Sequence, residues 1–353
     1  MTQPDPLSVL IVGSNSGTGG IQRYIDQQAE NLPDGIRTTV YDTEVNNTGG
    51  MVGFLRGFFE TAIDALRFPF QKKPDIVHVH TAHWFSFYRA SFYVLFSAYL
   101  WRVPVVLHVH GSLFDEFLAA DSRVVKALQS AVFHTCDEVI ALSEYWREMI
   151  LRETPAKNVS ALPNGIEIDL YSSEPGADPP SVVYISHLSD RKGAREFVAA
   201  ADELAKRDQN VEIHIGGDGE HADLVKELAA THENVTYHGY VSEGKKRRLL
   251  EEGSIFVLPS YAEGLPIAIV EAMAAGNAIV STTVGSIPEV IDSKSGILVP
   301  PKDESALHES ICELVESPED VEEMGYASTK QVEKKYNWNY LSDKISATYD
   351  RLE

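Results

Sequence analysis

Cysteine is almost missing from this chain: its 353 residues include two, Cys136 and Cys312, far apart and without the spacing of a metal-binding pair. That excludes a disulfide framework and a cysteine-built zinc motif, and makes a reduced, cytoplasmic interior the simplest environment. Positive charge is scarce as well. Thirty lysines and arginines face 52 aspartates and glutamates, a net charge of −22, and such an excess repels a phosphate backbone, so nucleic acid is not an expected partner. No secretory signal is read at the start, where residues 1–6 are polar and proline-rich. The apolar run 84–101 is interrupted by Arg89 and three serines, so it is not read as a membrane span. It predicts a helix buried nearly all round against a sheet, with an interfacial surface as the second reading.

What is present is a globular composition, 44% hydrophobic and 23% charged, over a length that accommodates two domains. The charge is uneven. Residues 1–170 carry 13 basic and 19 acidic side chains, and the remainder 17 and 33. Residues 50–110 reverse the sign, with Arg56, Arg67, Lys72, Lys73, Arg89 and Arg102 against Glu60, Asp64 and Asp75. A basic, aromatic island in an acidic chain marks a candidate contact with an anionic membrane or a lipid-linked acceptor.

Strand-length apolar runs at 7–12, 38–41, 75–80, 104–109 and 138–142 alternate with helical stretches. After Pro163, Asn164, Gly165 and the Pro/Gly-rich stretch 172–180, the alternation restarts with runs at 182–185, 211–215, 235–238, 254–258 and 277–281. The pattern predicts an α/β protein with parallel sheets and helices on both faces. Helical stretches from Glu304 and from Trp338 complete the reading.

Residues 254–276 hold the most informative sequence. A strand at 254–258 leads through Glu263, Gly264 and Leu265 into a predicted helix at 266–275, with Pro266 at its first position. Glu263 and Glu271 bracket the positive end of that helix. An anion is attracted between them, while each carboxylate needs hydroxyls or another partner. Glu271 sits among Ile267, Ile269, Val270 and Met273, where a charge is costly unless something pairs with it. A sugar, a diphosphate and a ribose fit that order.

Further glycine-containing strand ends occur at 13–20, at 186–193, at 216–220 and at Gly239 with Tyr240 and Val241. His108 and His110 alternate at the end of a strand before Gly111, and His78 and His80 repeat the pattern one strand earlier. No metal site is expected from these four, because the alternation spreads them along the strands.

The Glu-x7-Glu pair of Glu263 and Glu271, with its neighbours, resembles the signature of the retaining, nucleotide-sugar-dependent glycosyltransferases of family 4, of the GT-B fold. The resemblance implies two Rossmann-like domains with parallel sheets facing a cleft: an acceptor domain at 1–171, a linker at 172–180, a donor domain at 181–337, and a C-terminal helix at 338–353 crossing back to the first domain. It implies catalytic roles for His110 near the sugar hydroxyls, Lys192 on the diphosphate and Glu263 beside the transferred sugar. Donor-binding residues are then Gly19 and Gly20 in the first glycine loop, His187 where the family carries an arginine, Arg191 as a neighbouring cation, Gly217, Tyr240 and Val241 beside the base, Gly264, Leu265, and Glu271 on the ribose. The implied activity moves a hexose from a nucleoside-diphosphate sugar to an acceptor hydroxyl in glycan, glycolipid or cell-surface polysaccharide synthesis. No cofactor or metal is required, and the location is cytoplasmic, at the inner face of the membrane. An epimerase or phosphorylase on the same fold, or a non-catalytic nucleotide- or glycan-binding protein, are the alternatives.

Overall fold

The computed structural model describes residues 5–14, 20–43, 60–111, 113–173, 175–176 and 180–353. The chain divides into two compact units, residues 1–165 with 338–353, and residues 166–337. Each is built on a six-stranded sheet.

In the first unit the strands are β1 (Leu7–Gly13), β2 (Ile36–Asp42), β3 (Ile76–Thr81), β4 (Val105–Val109), β5 (Glu138–Ala141) and β6 (Val159–Ala161). They run parallel in the order β2-β1-β3-β4-β5-β6. Every residue of β3 and β4 is buried, as expected of central parallel strands covered on both faces, and the buried residues include His78, His80 and His108. Helices between the strands start where serine supplies an acceptor: Ser122 caps Arg123–Thr135 and Ser143 caps Glu144–Glu153. The C-terminal helix Trp338–Leu352 belongs to this unit. Its Leu341, Ile345 and Tyr349 join Val9, Ile11, Ile25 and Val106 in one core. The Trp338 indole N–H donates to Gln27 Oε1 at 3.1 Å, and the Ser342 hydroxyl donates to the Asn31 carbonyl at 2.7 Å.

The second unit contains β7 (Val182–Ile185), β8 (Ile213–Gly216), β9 (Val235–Tyr237), β10 (Ile255–Leu258), β11 (Ala278–Thr282) and β12 (Gly296–Val299). Its parallel order is β12-β11-β10-β7-β8-β9. The order reverses between β10 and β7, and in open α/β sheets ligands usually bind at the carboxyl ends of the strands beside such a reversal.

Three sequence readings change. The run 84–101 is a helix, Phe85–Phe96, ending in a π-helical turn, Ser97–Trp101. It is not buried all round. Phe87, Tyr93 and Val94 pack inward, whereas Trp84, Phe85, Tyr88, Phe92 and Tyr99 are exposed, because a sheet covers only one side of a helix in the outer layer. Among the described residues no helix is long and apolar enough to cross a membrane. The helix predicted at 266–275 is Ile267–Ala274, with Pro266 as its N-cap in extended conformation; the proline carbonyl accepts from the Ile269 and Val270 N–H groups. Finally, β6, β12 and the helix Pro318–Lys335 have no counterpart in the sequence reading.

Candidate active site

The loop leaving β7 carries Lys192 and the loop leaving β10 carries Glu263, so the β7/β10 reversal sets them side by side although 71 residues separate them. Gly193, next to Lys192, has φ +67°, and a Cβ there would stand 2.1 Å from the Pro259 carbonyl oxygen. Only glycine lets the two loops press together this closely. The buried Tyr184 hydroxyl donates to the Lys192 carbonyl at 3.2 Å. Lys192 Nζ then lies 2.5 Å from Glu263 Oε1, and the Ser260 hydroxyl donates to the same oxygen at 2.7 Å. With side-chain exposures of 16% and 6%, this ion pair is withdrawn from water, where removing one partner is costly to the other. Ser286 donates to the Gly264 carbonyl, holding the turn after Glu263, and Leu265 is buried behind it. Arg191 takes a different partner: its guanidinium donates to the Ala262 carbonyl at 3.1 Å, which ties the two loops together.

Beside this pair, the ends of β7, β8 and β9 enclose a cavity of about 590 Å³. Its walls include His187, Gly217, Tyr240, Val241 and Lys246. Gly217 has φ +136°, and a Cβ on it would stand 1.8 Å from the Ser186 carbonyl oxygen. Backbone bonds lace the loops: the Gly217 N–H donates to the Gly239 carbonyl at 2.8 Å and the Leu188 N–H to the Asp218 carbonyl at 2.9 Å. Tyr240 is 78% exposed at the rim, and the Val241 methyls rest near Gly216.

Glu271 has no exposed surface. Its partner is Lys246, whose ammonium lies 2.9 Å from Oε1 and 2.8 Å from Oε2. Lys246 projects from the helix Glu243–Glu251, and its side chain is 14% exposed. The sequence reading anticipated that Glu271 needs a partner but did not find Lys246, which stands among Lys245, Arg247 and Arg248 and has no local feature to distinguish it from a solvated charge. Lys246→Met is expected to lower stability by about 3 kcal/mol, because it strands a buried carboxylate. The double variant Lys246→Met/Glu271→Gln should recover most of that in thermal denaturation.

In the first unit, β3 and β4 pair with His80 opposite His108. His78, His80, His108 and His110 are all buried on that shared face, under Tyr24, whose ring meets three of the imidazoles. His80 Nδ1 and His110 Nε2 are 2.9 Å apart, and His78 Nδ1 is 2.6 Å from the Tyr349 hydroxyl. Burial pushes His78 and His110 down to about 3, and His80 and His108 also well below the ordinary histidine value, so the rings are neutral. Parallel pairing corrects the expectation that alternation spreads these residues apart. Neighbouring strands lie about 4.8 Å apart, and nitrogens of His78, His80 and His108 come within 4.8 Å of one another, close enough to hold a metal ion. A second such group, Asp190, Glu220 and His221, has its two carboxylates exposed. His110 stands just past β4 and is 6% exposed. Gly20 opens the helix Gly20–Asn31, with open space where a Cβ would be; Gly19 lies outside the described residues.

Two Rossmann-like units, each on a parallel sheet, the second with a glycine-laced cavity and lysine–glutamate pairs near its strand reversal, have the GT-B fold. Residues 18–170 match the family model described as Glycosyltransferase Family 4, and residues 179–317 match Glycosyl transferases group 1. The chain belongs to this glycosyltransferase family. Alpha-maltose-1-phosphate synthase of Mycolicibacterium smegmatis is 28% identical over 311 residues, covering 78% of this chain and 79% of that protein. Among solved structures, sucrose-phosphate synthase from Thermosynechococcus elongatus superimposes with a TM-score of 0.79 at 17% identity, covering 98% and 99% of the two chains. Anabaena HepE in complex with UDP gives 0.77 at 18% identity, covering 98% and 100%.

Proposed function

We propose that this protein is a retaining hexosyltransferase that moves a hexose from a nucleoside-diphosphate sugar to an acceptor hydroxyl of a glycan or lipid-linked glycan. The observation that carries the reading is the Lys192–Glu263 pair at the strand reversal, on the same loop that lends His187 to the wall of the Lys246–Glu271 cavity. UDP bound to the Anabaena relative supports a nucleoside diphosphate as part of the donor.

In this reading the base lies against Tyr240 and Val241, and the ribose hydroxyls donate to Glu271. The diphosphate meets Lys192 and the positive end of the helix Ile267–Ala274. As the glycosidic bond breaks, charge grows on the diphosphate beside this ammonium and this helix end. Glu263, held by Lys192 and Ser260, orients the hexose. A carboxylate so engaged is a weak nucleophile, which favours same-face attack by the acceptor, with the departing phosphate as base, over a covalent glycosyl-enzyme. The mechanism asks for no metal or cofactor, and its setting is the cytoplasmic face of a membrane, where residues 50–110 meet lipid during glycan, glycolipid or surface-polysaccharide synthesis.

Glu271→Gln is expected to weaken nucleoside-diphosphate binding by roughly 10- to 100-fold, the range for losing charged hydrogen bonds. Glu263→Gln should leave that affinity nearly unchanged and lower turnover. Calorimetry with the nucleotide and product analysis with a panel of donors and acceptors check both. Equal loss of affinity in the two variants would remove this division of labour. Product formation without an acceptor would point to an epimerase.

A further inference from the structure

We propose that the outward aromatic face of the helix Phe85–Phe96, together with Leu66 and Phe70 beside it, docks onto an anionic lipid bilayer. The inference deepens the reading above by naming the surface and its partner, and rests on that reading only for why the acceptor is found there.

The geometry begins with spacing. Phe85, Tyr88 and Phe92 recur at intervals that keep them on one side of the helix, and all three are exposed, as is Tyr99 in the π-helical turn that follows. The opposite side is consumed by the core through Phe87, Tyr93 and Val94. Phe68, fully buried, joins this face to the preceding segment: its ring lies 6.3 Å from Phe92 and 4.7 Å from Trp101. On either side of Phe68, Leu66 is 71% and Phe70 88% exposed. Soluble surfaces carry scattered apolar side chains, but a contiguous aromatic patch of this kind marks an interaction site.

Charge selects the partner. Arg67, Lys72, Lys73 and Arg102 are exposed around the patch, whereas the whole chain carries −22. Of the nearby acids, Asp75 is engaged by the Ser8 N–H at 2.8 Å. A second copy of the chain would set these basic side chains against themselves and bring two strongly acidic bodies together. A bilayer with anionic headgroups meets both features: the basic rim is attracted to its surface potential, and tyrosine and tryptophan rings settle at headgroup depth while phenylalanine and leucine enter the acyl boundary.

The test is co-sedimentation of the full chain with vesicles of phosphatidylcholine alone and of phosphatidylcholine with phosphatidylglycerol. The protein should pellet with the anionic vesicles, less as salt rises, and little with the neutral ones. Lys72→Ala/Lys73→Ala should weaken binding on the order of 30-fold, the attraction expected for two such residues. Leu66→Ser/Phe70→Ser should abolish pelleting while keeping nucleotide affinity and the melting temperature. Absence from both vesicle pellets, or pelleting that neither variant changes, would overturn the proposal. A dimer in sedimentation velocity that Leu66→Ser/Phe70→Ser dissolves, without vesicle binding, would also overturn it and assign the face to a second copy. Transfer to a water-soluble acceptor is measured in parallel: lost pelleting with intact transfer defeats the docking surface alone, and pelleting without any transfer defeats the transferase reading alone.

Discussion

Lys192→Ala is expected to lower kcat by roughly 10²–10³ at saturating donor, the range for removing one preorganised charge-stabilising group. The expectation follows from how few cations the site offers. His187 stands where the family's arginine is expected and does not supply that side chain's long, forked guanidinium. Arg191 is engaged with the Ala262 carbonyl, and Lys246 is committed to Glu271 on the cavity wall. Lys192 is paired with Glu263 as well, but its ammonium has three N–H donors, so it can hold Glu263 and still donate to the diphosphate in this reading; the developing charge falls chiefly to it. The variant also leaves Glu263 without its ammonium, so the melting temperature and nucleotide affinity must be read alongside the rate. Arg191→Ala is the control, expected to act less than a tenth as strongly. Full turnover in Lys192→Ala would overturn both the site and the mechanism built on it, while a loss in Arg191→Ala as large as that in Lys192→Ala would mean that Arg191 faces the diphosphate.

The second large effect concerns acid. Folding holds His78, His80, His108 and His110 neutral, with His78 and His110 at about 3, whereas the same side chains in the unfolded chain titrate near 6.5. Below that value the unfolded state binds more protons than the folded one, so stability falls as pH falls. The loss begins near pH 6.5 and continues down to the folded values. At pH 5 it amounts to about 2 kcal/mol for each histidine, and four of them approach the whole stability of an ordinary domain. The first unit is expected to melt far earlier at pH 5 than at pH 8. His80→Leu/His108→Val should roughly halve that difference, since it removes two of the four groups. Equal melting temperatures at the two pH values would contradict the buried, neutral cluster.

The sequence by itself determined the parallel α/β layout. A strand covered on both faces is mostly apolar, and nearly every such run appears where a strand does. It determined the glycine loops and the positions of Glu263 and Glu271, because a turn that needs positive φ, or a carboxylate inside an apolar helix, is visible residue by residue. Two edge strands, β6 and β12, escaped it. Only the tertiary structure decided which charges meet. Lys192 finds Glu263 across 71 residues, and Lys246 finds Glu271 across 25, and both pairings depend on strand order, which local pattern does not encode. The same holds for the aromatic helix, whose composition reads alike on every side until the sheet covers one face and leaves the other to solvent.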